Sequence, residues 1–316
     1  MNSGAVAPIL RQLLETPFSG SLRRQIMSKE AQREVEFVQL QASRGSVQSF
    51  SSGEISSLVG PTQAVDTLFV LGSGASVEEL LPENFREIAL QRSVGINNWA
   101  VHPFVPDFFS FESVPWVGDG KDFPRALQLL QRREILEKSP LILVLRPSTN
   151  EGLSNLQFVP EALRKQVRLY GRVSPVTRDA HNLRSDIRSF FRYVSPRRYD
   201  LVMDSGASVV RMVSLGILLG FRRIVLTGVD LNGSPYFWER NPSYLENLVG
   251  PAPVNNQSGG VHETTDERNR PFSVVTMLCA LSDYFRSELN GELLIASDTS
   301  ALSGFLPTID WRGLRP

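Results

Sequence analysis

Five short stretches of the chain carry residue types that do chemistry, at spacings a fold can bring to one ligand. The first is Gly72-Ser73-Gly74-Ala75-Ser76, directly after the apolar run Leu68-Phe69-Val70-Leu71. Strand, glycine turn and helix start in succession make the arrangement that cradles phosphate on backbone amides, with Ser76 and Glu79 spaced as a capping box. Asn97, beside Asn98 at the end of Ser93-Val94-Gly95-Ile96, offers a carboxamide that donates and accepts at once and so reads a base or sugar edge, or else simply makes an Asn-rich turn. Asp204-Ser205-Gly206-Ala207-Ser208 opens a helix that is apolar from Val209 to Leu219, and a helix start beside Ser and Gly suits an anion. Thr227-Gly228-Val229-Asp230 ends the next strand and leads to Tyr236-Phe237-Trp238. Last, His262 ends a loop rich in Gly, Pro, Asn and Ser and precedes a helix. It is one of three histidines, and an imidazole with an ordinary pKa of about 6.5 accepts a proton at neutral pH. His102 before Pro103 and Asp107 after Pro106 read instead as a loop residue and a strand-entry residue.

These stretches need a scaffold that delivers them to one place. The helix from Val209 to Leu219 is too apolar for a surface helix. Gly220 follows it where a left-handed cap is required, Phe221 packs back on the last turn, and Ile224-Val225-Leu226 makes a short buried strand. Helix then strand, both buried, implies a covered and mostly parallel sheet, in which ligands sit beyond the carboxyl ends of the strands. Further strands are expected over 66–71, 93–99, 102–111, 140–146 and 292–296, with helices over 123–138 and 271–289. Residues 159–195 read as one or two Arg-rich helices, with Arg184, Arg188 and Arg192 on a solvated face. The thirty or so residues from Asn232 to His262 are too long and too aromatic for a plain connection and read as a lid. Residues 1–62 differ from the rest: two amphipathic patterns, Ala7–Leu14 and Leu22–Phe37, then a Ser- and Gly-rich linker. The fold class expected is therefore α/β, a mostly parallel Rossmann-like sheet with helices on both faces. A helical extension over 1–62 precedes a domain over 63–316 that carries the lid at about 232–262. The extension serves as a partner or membrane-surface contact, as a helical layer on the domain, or as a dimer contact.

Composition excludes several classes. With 316 residues, 41% of them hydrophobic and 21% charged, the chain is an ordinary globular one. Its 33 basic residues equal its 33 acidic ones, which gives no reason to expect nucleic acid as a partner. The single cysteine, Cys279, lies in an apolar helical pattern and reads as a buried structural thiol in a reducing compartment. No run has the length of a membrane span and the start lacks a signal-peptide pattern, so a cytoplasmic location is expected. A dinucleotide fingerprint needs Gly or Ala where Val77 stands and an acid about twenty residues on, where the chain has Gln91-Arg92-Ser93. His262-Glu263-Thr264-Thr265-Asp266 lacks the second histidine of a zinc protease, and no nucleophile elbow or P-loop is present. No metal site is expected.

Taken in order, Gly72-Ser73-Gly74-Ala75-Ser76, Gly95-Ile96-Asn97-Asn98, Ser205-Gly206 before an apolar helix, Ile224-Val225-Leu226-Thr227-Gly228-Val229-Asp230, Tyr236 and His262 resemble the bacterial sialyltransferases of glycosyltransferase family 42 over residues 66–300. The resemblance implies a single nucleotide-binding domain with a lid that transfers a sialic acid, with inversion, from its CMP-activated form to a glycan or glycolipid acceptor. It implies no cofactor and no metal. By position, it implies that Gly72, Ser73, Gly74, Ser76 and Asn97 hold the nucleotide and that Ser205, Gly206 and Asp230 hold the donor. Tyr236 would donate to the leaving phosphate, and His262 would be the general base. The chain departs from the family at Ser73 and Ala75, where Asn and Pro are usual, and at Ser110 and Val202, where Asn and Arg are usual. A second lid tyrosine before Tyr236 is also missing. The donor is accordingly open among nonulosonates, including Kdo-type and legionaminate-type sugars. Two alternatives stand beside this reading: an accessory nucleotide-binding protein without catalysis, and another nucleotide-using enzyme resembling flagellar glycosylation factors or pyrophosphokinases. Contact with the inner membrane surface and a homo-oligomer both remain open.

Overall fold

Strands buried on both faces read as unbroken apolar runs, and Thr67–Leu71, Leu141–Leu145 and Leu201–Met203 are buried at every residue. The computed structural model describes residues 20–45, 47–50, 65–112, 126–147, 154–194, 200–246, 248 and 271–314. Its strands are β1 Gln48–Ser49, β2 Thr67–Leu71, β3 Arg92–Ile96, β4 Phe108–Glu112, β5 Leu141–Leu145, β6 Val167–Val173, β7 Leu201–Met203, β8 Arg223–Thr227 and β9 Glu292–Ile295. They form one sheet in the order β1-β6-β5-β4-β3-β2-β8-β9, with β7 also on β6. All the pairings between these strands are parallel. The α/β class and the parallel sheet are as the sequence predicts.

Alternate residues of β2 feed two separate cores. Leu68 and Val70 pack with helices α1 (Gly20–Gly45), α4 (Ala180–Ser189), α5 (Ser208–Leu219) and α7 (Val274–Leu289). Phe69 and Leu71 pack on the opposite face with Trp99, Ile88 of α2 (Pro82–Ala89), Ile135 of α3 (Arg133–Lys138) and Phe237 and Trp238 of α6 (Phe237–Arg240). Helices therefore cover both faces. From β2 the chain steps outward through β3, β4, β5 and β6, then α5 carries it back to β8 on the other flank of β2. The strand order reverses at β2, and a crevice opens there beyond the carboxyl ends of the strands.

Helix α5 is what holds the two halves together. Only Leu218 of its twelve residues is not buried. Gly216 lets it lie close on the sheet, because a Cβ there would stand 2.8 Å from both Ile224 and Leu68 side chains. Gly220 ends it at φ 87° with Phe221 N bonded back to Gly216 O at 3.2 Å, the cap read from sequence.

One expectation is narrowed and three are corrected. Of the roles expected for the extension, residues 20–50 take that of a helical layer on the domain: α1 buries Met27, Ala31, Val35, Val38 and Ala42 at helical spacing, and β1 pairs with β6. A bidentate pair from Glu34 to Arg146, both bonds 2.7 Å, fastens the same helix to the end of β5. Residues 159–195 are not all helical, since β6 runs through Val167-Arg168-Leu169-Tyr170-Gly171-Arg172-Val173. Arg184, Arg188 and Arg192 do not merely face solvent but pair with Asp283 and Glu288 of α7. Cys279 is half-buried, with its thiol pKa raised by burial and then by Asp283. Among the described residues no helix is long and apolar enough to cross a membrane.

Candidate functional site

A cavity of about 160 Å³ occupies the crevice at the strand reversal. Its wall is made of strand ends: Gly72, Ser73 and Gly74 after β2, Asn97 and Asn98 after β3, Glu112 at the end of β4, and Gly228, Val229, Asp230 and Leu231 after β8. Gly206, Ala207, Ser208 and Val209 at the start of α5 close one side, and Gly233, Ser234 and Tyr236 another. Of the eight described residues with positive φ, Asn97, Leu231, Gly206, Gly228 and Gly233 all line this cavity. A left-handed Leu at φ 55° is unusual, and such strain gathers where a site is being shaped.

The glycine turn is built differently from a phosphate cradle. The amides of Gly72 and Gly74 donate to Thr227 O and Gly228 O, both at 2.7 Å. A Cβ on Gly72 would lie 2.5 Å from the Gly228 carbonyl oxygen, and one on Gly228 would strike that of Gly72. These glycines let two strand-end turns approach each other. Gly74 makes room for the protein's own anion, because a Cβ there would stand 2.5 Å from the Asp230 carboxylate. That carboxylate accepts from Ser76 N at 3.0 Å and from the Ser76 hydroxyl. The capping box read from sequence is therefore not made: Ser76 bonds Asp230, and Glu79 accepts from Ser297 and Thr299. Asp230 is in the wall, while Ser76 is buried behind it.

The start of α5 is likewise occupied by carboxylates. Asp204, 1% exposed, accepts from Gly206 N at 2.7 Å, Ala207 N at 3.2 Å, Arg211 Nη1 at 2.9 Å and Arg172 Nη1 at 3.0 Å. Burial pushes its pKa up, and Arg172 with the two amides pulls it back. Arg211, completely buried within the apolar helix, also reaches Glu112 and donates to Ser208 Oγ at 3.0 Å. A guanidinium so buried is tolerated only when paired and hydrogen-bonded, which this network supplies. Ser208 Oγ lies 2.8 Å from Glu112 Oε1 and 2.9 Å from Asn97 Oδ1. One hydroxyl proton cannot serve both oxygens, and the charged one takes it. Turning the Asn97 amide by half a rotation gives Ser208 a donor on that side and satisfies the set.

Tyr236 is brought to the cavity by backbone pairing. It bridges Gly74 in antiparallel fashion, and Phe237 N donates to Ser73 O at 3.1 Å. Its ring stacks on Trp238 at 4.6 Å and 24°. Burial first and the Glu239 carboxylate second raise its phenol pKa, so the hydroxyl keeps its proton. The lid expected over 232–262 is fixed where it is described: Phe237 and Trp238 are core residues, and Tyr244 Oη donates to Glu78 at 2.6 Å. His102 is a loop residue, as expected, and a buried one. It stacks between Trp99 at 4.4 Å and Phe85 at 4.9 Å, and burial with Arg132 nearby lowers its pKa to about 3.

Three buried hydroxyls around the crevice have no hydrogen-bond partner among the described residues: Ser73 Oγ, Ser205 Oγ and Thr227 Oγ1. Each such group costs about 1–3 kcal/mol unless a ligand or water meets it. Ser73 lines the cavity and Ser205 sits beside Gly206, which also does. Of the residues predicted for the site, Gly72, Ser73, Gly74, Asn97, Gly206, Asp230 and Tyr236 share one cavity, Ser76 and Ser205 lie behind its wall, and His262 falls outside the described residues. Ser110 is turned into the core, where it bonds Tyr170 at 3.1 Å. Sequence reading missed Glu112, Ser208 and Arg211. Arg211 carried a signal, being the lone charge in the run Val209–Leu219.

No known family model matches the chain, and no curated protein does. Among solved structures it is similar to the sialyltransferase CstII from Campylobacter jejuni in complex with cytidine-5'-monophosphate, at 15% identity over 78% of this chain and 85% of that one, with a TM-score of 0.42. It is also similar to the monofunctional alpha-2,3-sialyltransferase Cst-I from Campylobacter jejuni, at 15% identity over 78% and 81% of the two chains and a TM-score of 0.43. Likeness at this level says nothing about chemistry, which has to be argued from the residues of the site. Among the described residues no group of three or more His, Cys, Asp or Glu is placed to hold a metal.

Proposed function

We propose that this chain is a glycosyltransferase that moves a sialic acid or related nonulosonate from a CMP-activated donor to a glycan acceptor, with inversion and without a metal. The observation that carries the reading is the placement of Tyr236. Tyr236, whose phenol keeps its proton, lines the same cavity as Ser73, Asn97 and the start of α5, at the strand reversal where such sheets take ligands. In the reaction, an acceptor hydroxyl attacks the anomeric carbon of the donor as the bond from that carbon to the phosphate oxygen breaks. Negative charge grows on the departing CMP phosphate, where the Tyr236 hydroxyl and the Ser73 hydroxyl stabilise it by donating hydrogen bonds. The acceptor proton passes to His262, a role that rests on its place in the sequence. A single displacement of this kind inverts the anomeric centre.

Thermal unfolding in the presence of a panel of nucleotides and CMP-sugars, each with and without EDTA, tests this reading. CMP and its nonulosonate conjugates should raise the midpoint equally with and without chelator, and product should form from one of the conjugates. Stabilisation only by other nucleotides, or only with divalent cation present, would remove it.

A further inference from the structure

The cavity is unevenly charged, and the unevenness says which part of a ligand goes where. Its lining includes the acids Glu112 and Asp230 and, among the described residues, no lysine or arginine. Asp230 is committed to Ser76. Glu112 is only half committed: Oε1 takes the bonds from Ser208 and Arg211, while Oε2 has no partner among the described residues and the side chain is 28% exposed. Arg211, with no exposure at all, neutralises Glu112 from behind and fixes the direction in which it presents its second oxygen. A carboxylate held in this way repels a phosphate and accepts from hydroxyl groups. The other end of the cavity has the opposite character. Ser73 Oγ, 7% exposed and without a partner among the described residues, and the Tyr236 phenol can offer protons to an anion. Glu112 ends β4 and Ser73 follows β2, with β3 between them, so the two ends lie about 10 Å apart at the usual strand spacing.

Resting on the reading of this cavity as a nucleotide site, we propose that Glu112 is the specificity residue for the ligand's ribose. Its free oxygen accepts from the vicinal 2',3'-hydroxyls, while the phosphate lies toward Ser73 and Tyr236. The ligand then spans the carboxyl ends of β2, β3 and β4, with Asn97 beneath its middle. A ribonucleotide fits both ends, whereas a ligand carrying an anionic group at the β4 end is rejected.

Calorimetric titration of CMP, 2'-deoxy-CMP and 2',3'-dideoxy-CMP into the full chain tests the proposal without any substitution. Charge-assisted bonds to two hydroxyls predict a loss of roughly 10- to 100-fold in affinity from CMP to the dideoxy form, with the 2'-deoxy form between them. In Glu112→Ala the ratio should fall to about 2-fold or less, through weaker binding of CMP and not stronger binding of the dideoxy form. Should Glu112→Ala fail to fold because Arg211 loses its partner, Glu112→Gln retains an acceptor for Arg211 and Ser208 and should give a reduced ratio. Equal affinities for CMP and the dideoxy form in the unaltered protein would overturn the ribose assignment and leave CMP recognition standing. Undiminished discrimination in Glu112→Ala would overturn it too, because the diol would then be read elsewhere. No binding of CMP at all would bring down the donor reading and this assignment together.

Discussion

Two turns at the carboxyl ends of strands look alike in sequence and differ in what they do. Gly72–Ser76 after β2 and Asp204–Ser208 after β7 are both short, small-residue links into a helical segment, and both read as anion sites. Each has already been given an anion by the protein. At the first, Asp230 caps Ser76, and among the described residues the carboxylate meets no cation. At the second, Asp204 lies in a chain of charges that runs from Arg172 through Asp204, Arg211 and Ser208 to Glu112 in the cavity wall. The first turn is a structural joint, and the second projects electrostatics into the crevice. The lesson concerns helix starts in general. An exposed N-terminus attracts an anion, but the chain's own acids compete for it at high effective concentration, so small residues at a helix start leave open whose carboxylate or phosphate arrives.

The largest effect should follow from breaking the second turn. Arg211→Met removes the cation shared by Asp204 and Glu112, leaving the buried Asp204 with Arg172 and two amides and Glu112 with Ser208. Chemical denaturation should register a loss of about 3 kcal/mol, the low end of the usual scale for breaking a buried ion pair, because Arg172 still compensates Asp204. A loss below about 1 kcal/mol would mean that Arg172, the backbone amides and Ser208 hold Asp204 and Glu112 without Arg211.

The first turn is tested by coupling. Gly74→Ala should destabilise because its Cβ would run into the Asp230 carboxylate, and Asp230→Ala should destabilise by about 1–3 kcal/mol through the bonds lost to Ser76. The double variant should be more stable than the sum of the two predicts by about 1 kcal/mol or more, since each substitution relieves what the other breaks. Strict additivity would show that Gly74 is required for some other reason, a bound ligand included.

Much of this fold could be read from sequence because its signals are local. The unbroken apolar runs of β2, β5 and β8, the apolar helix α5 and the left-handed Gly220 each state their structure within a few residues. Strand β6 could not be read this way, because Arg168, Gly171 and Arg172 interrupt its apolar run and the neighbouring Arg-rich segment looks helical. The helical period of α1 was visible, but its seat on β6 was not, since nothing local says that Glu34 will meet Arg146 across 112 residues. The site divides in the same way. Glycines announce a close approach without naming the partner, and here the partner is Gly228 or Asp230. Glu112 was invisible because an acid at the end of a strand looks like any solvated loop residue until Arg211 is seen behind it.

Tyr236 decides the central claim. In Tyr236→Phe the ring and its stack on Trp238 are retained, and only the hydroxyl that would meet charge on the leaving phosphate is lost. Single-turnover transfer from a CMP-nonulosonate, measured beside the dissociation constant for CMP, separates the two roles of the residue. The account predicts a fall in the transfer rate of roughly 10²-fold with CMP affinity changed by less than about 3-fold. Transfer at the unaltered rate, or rate and affinity falling by the same factor, would contradict it and make Tyr236 a packing residue of the cavity wall.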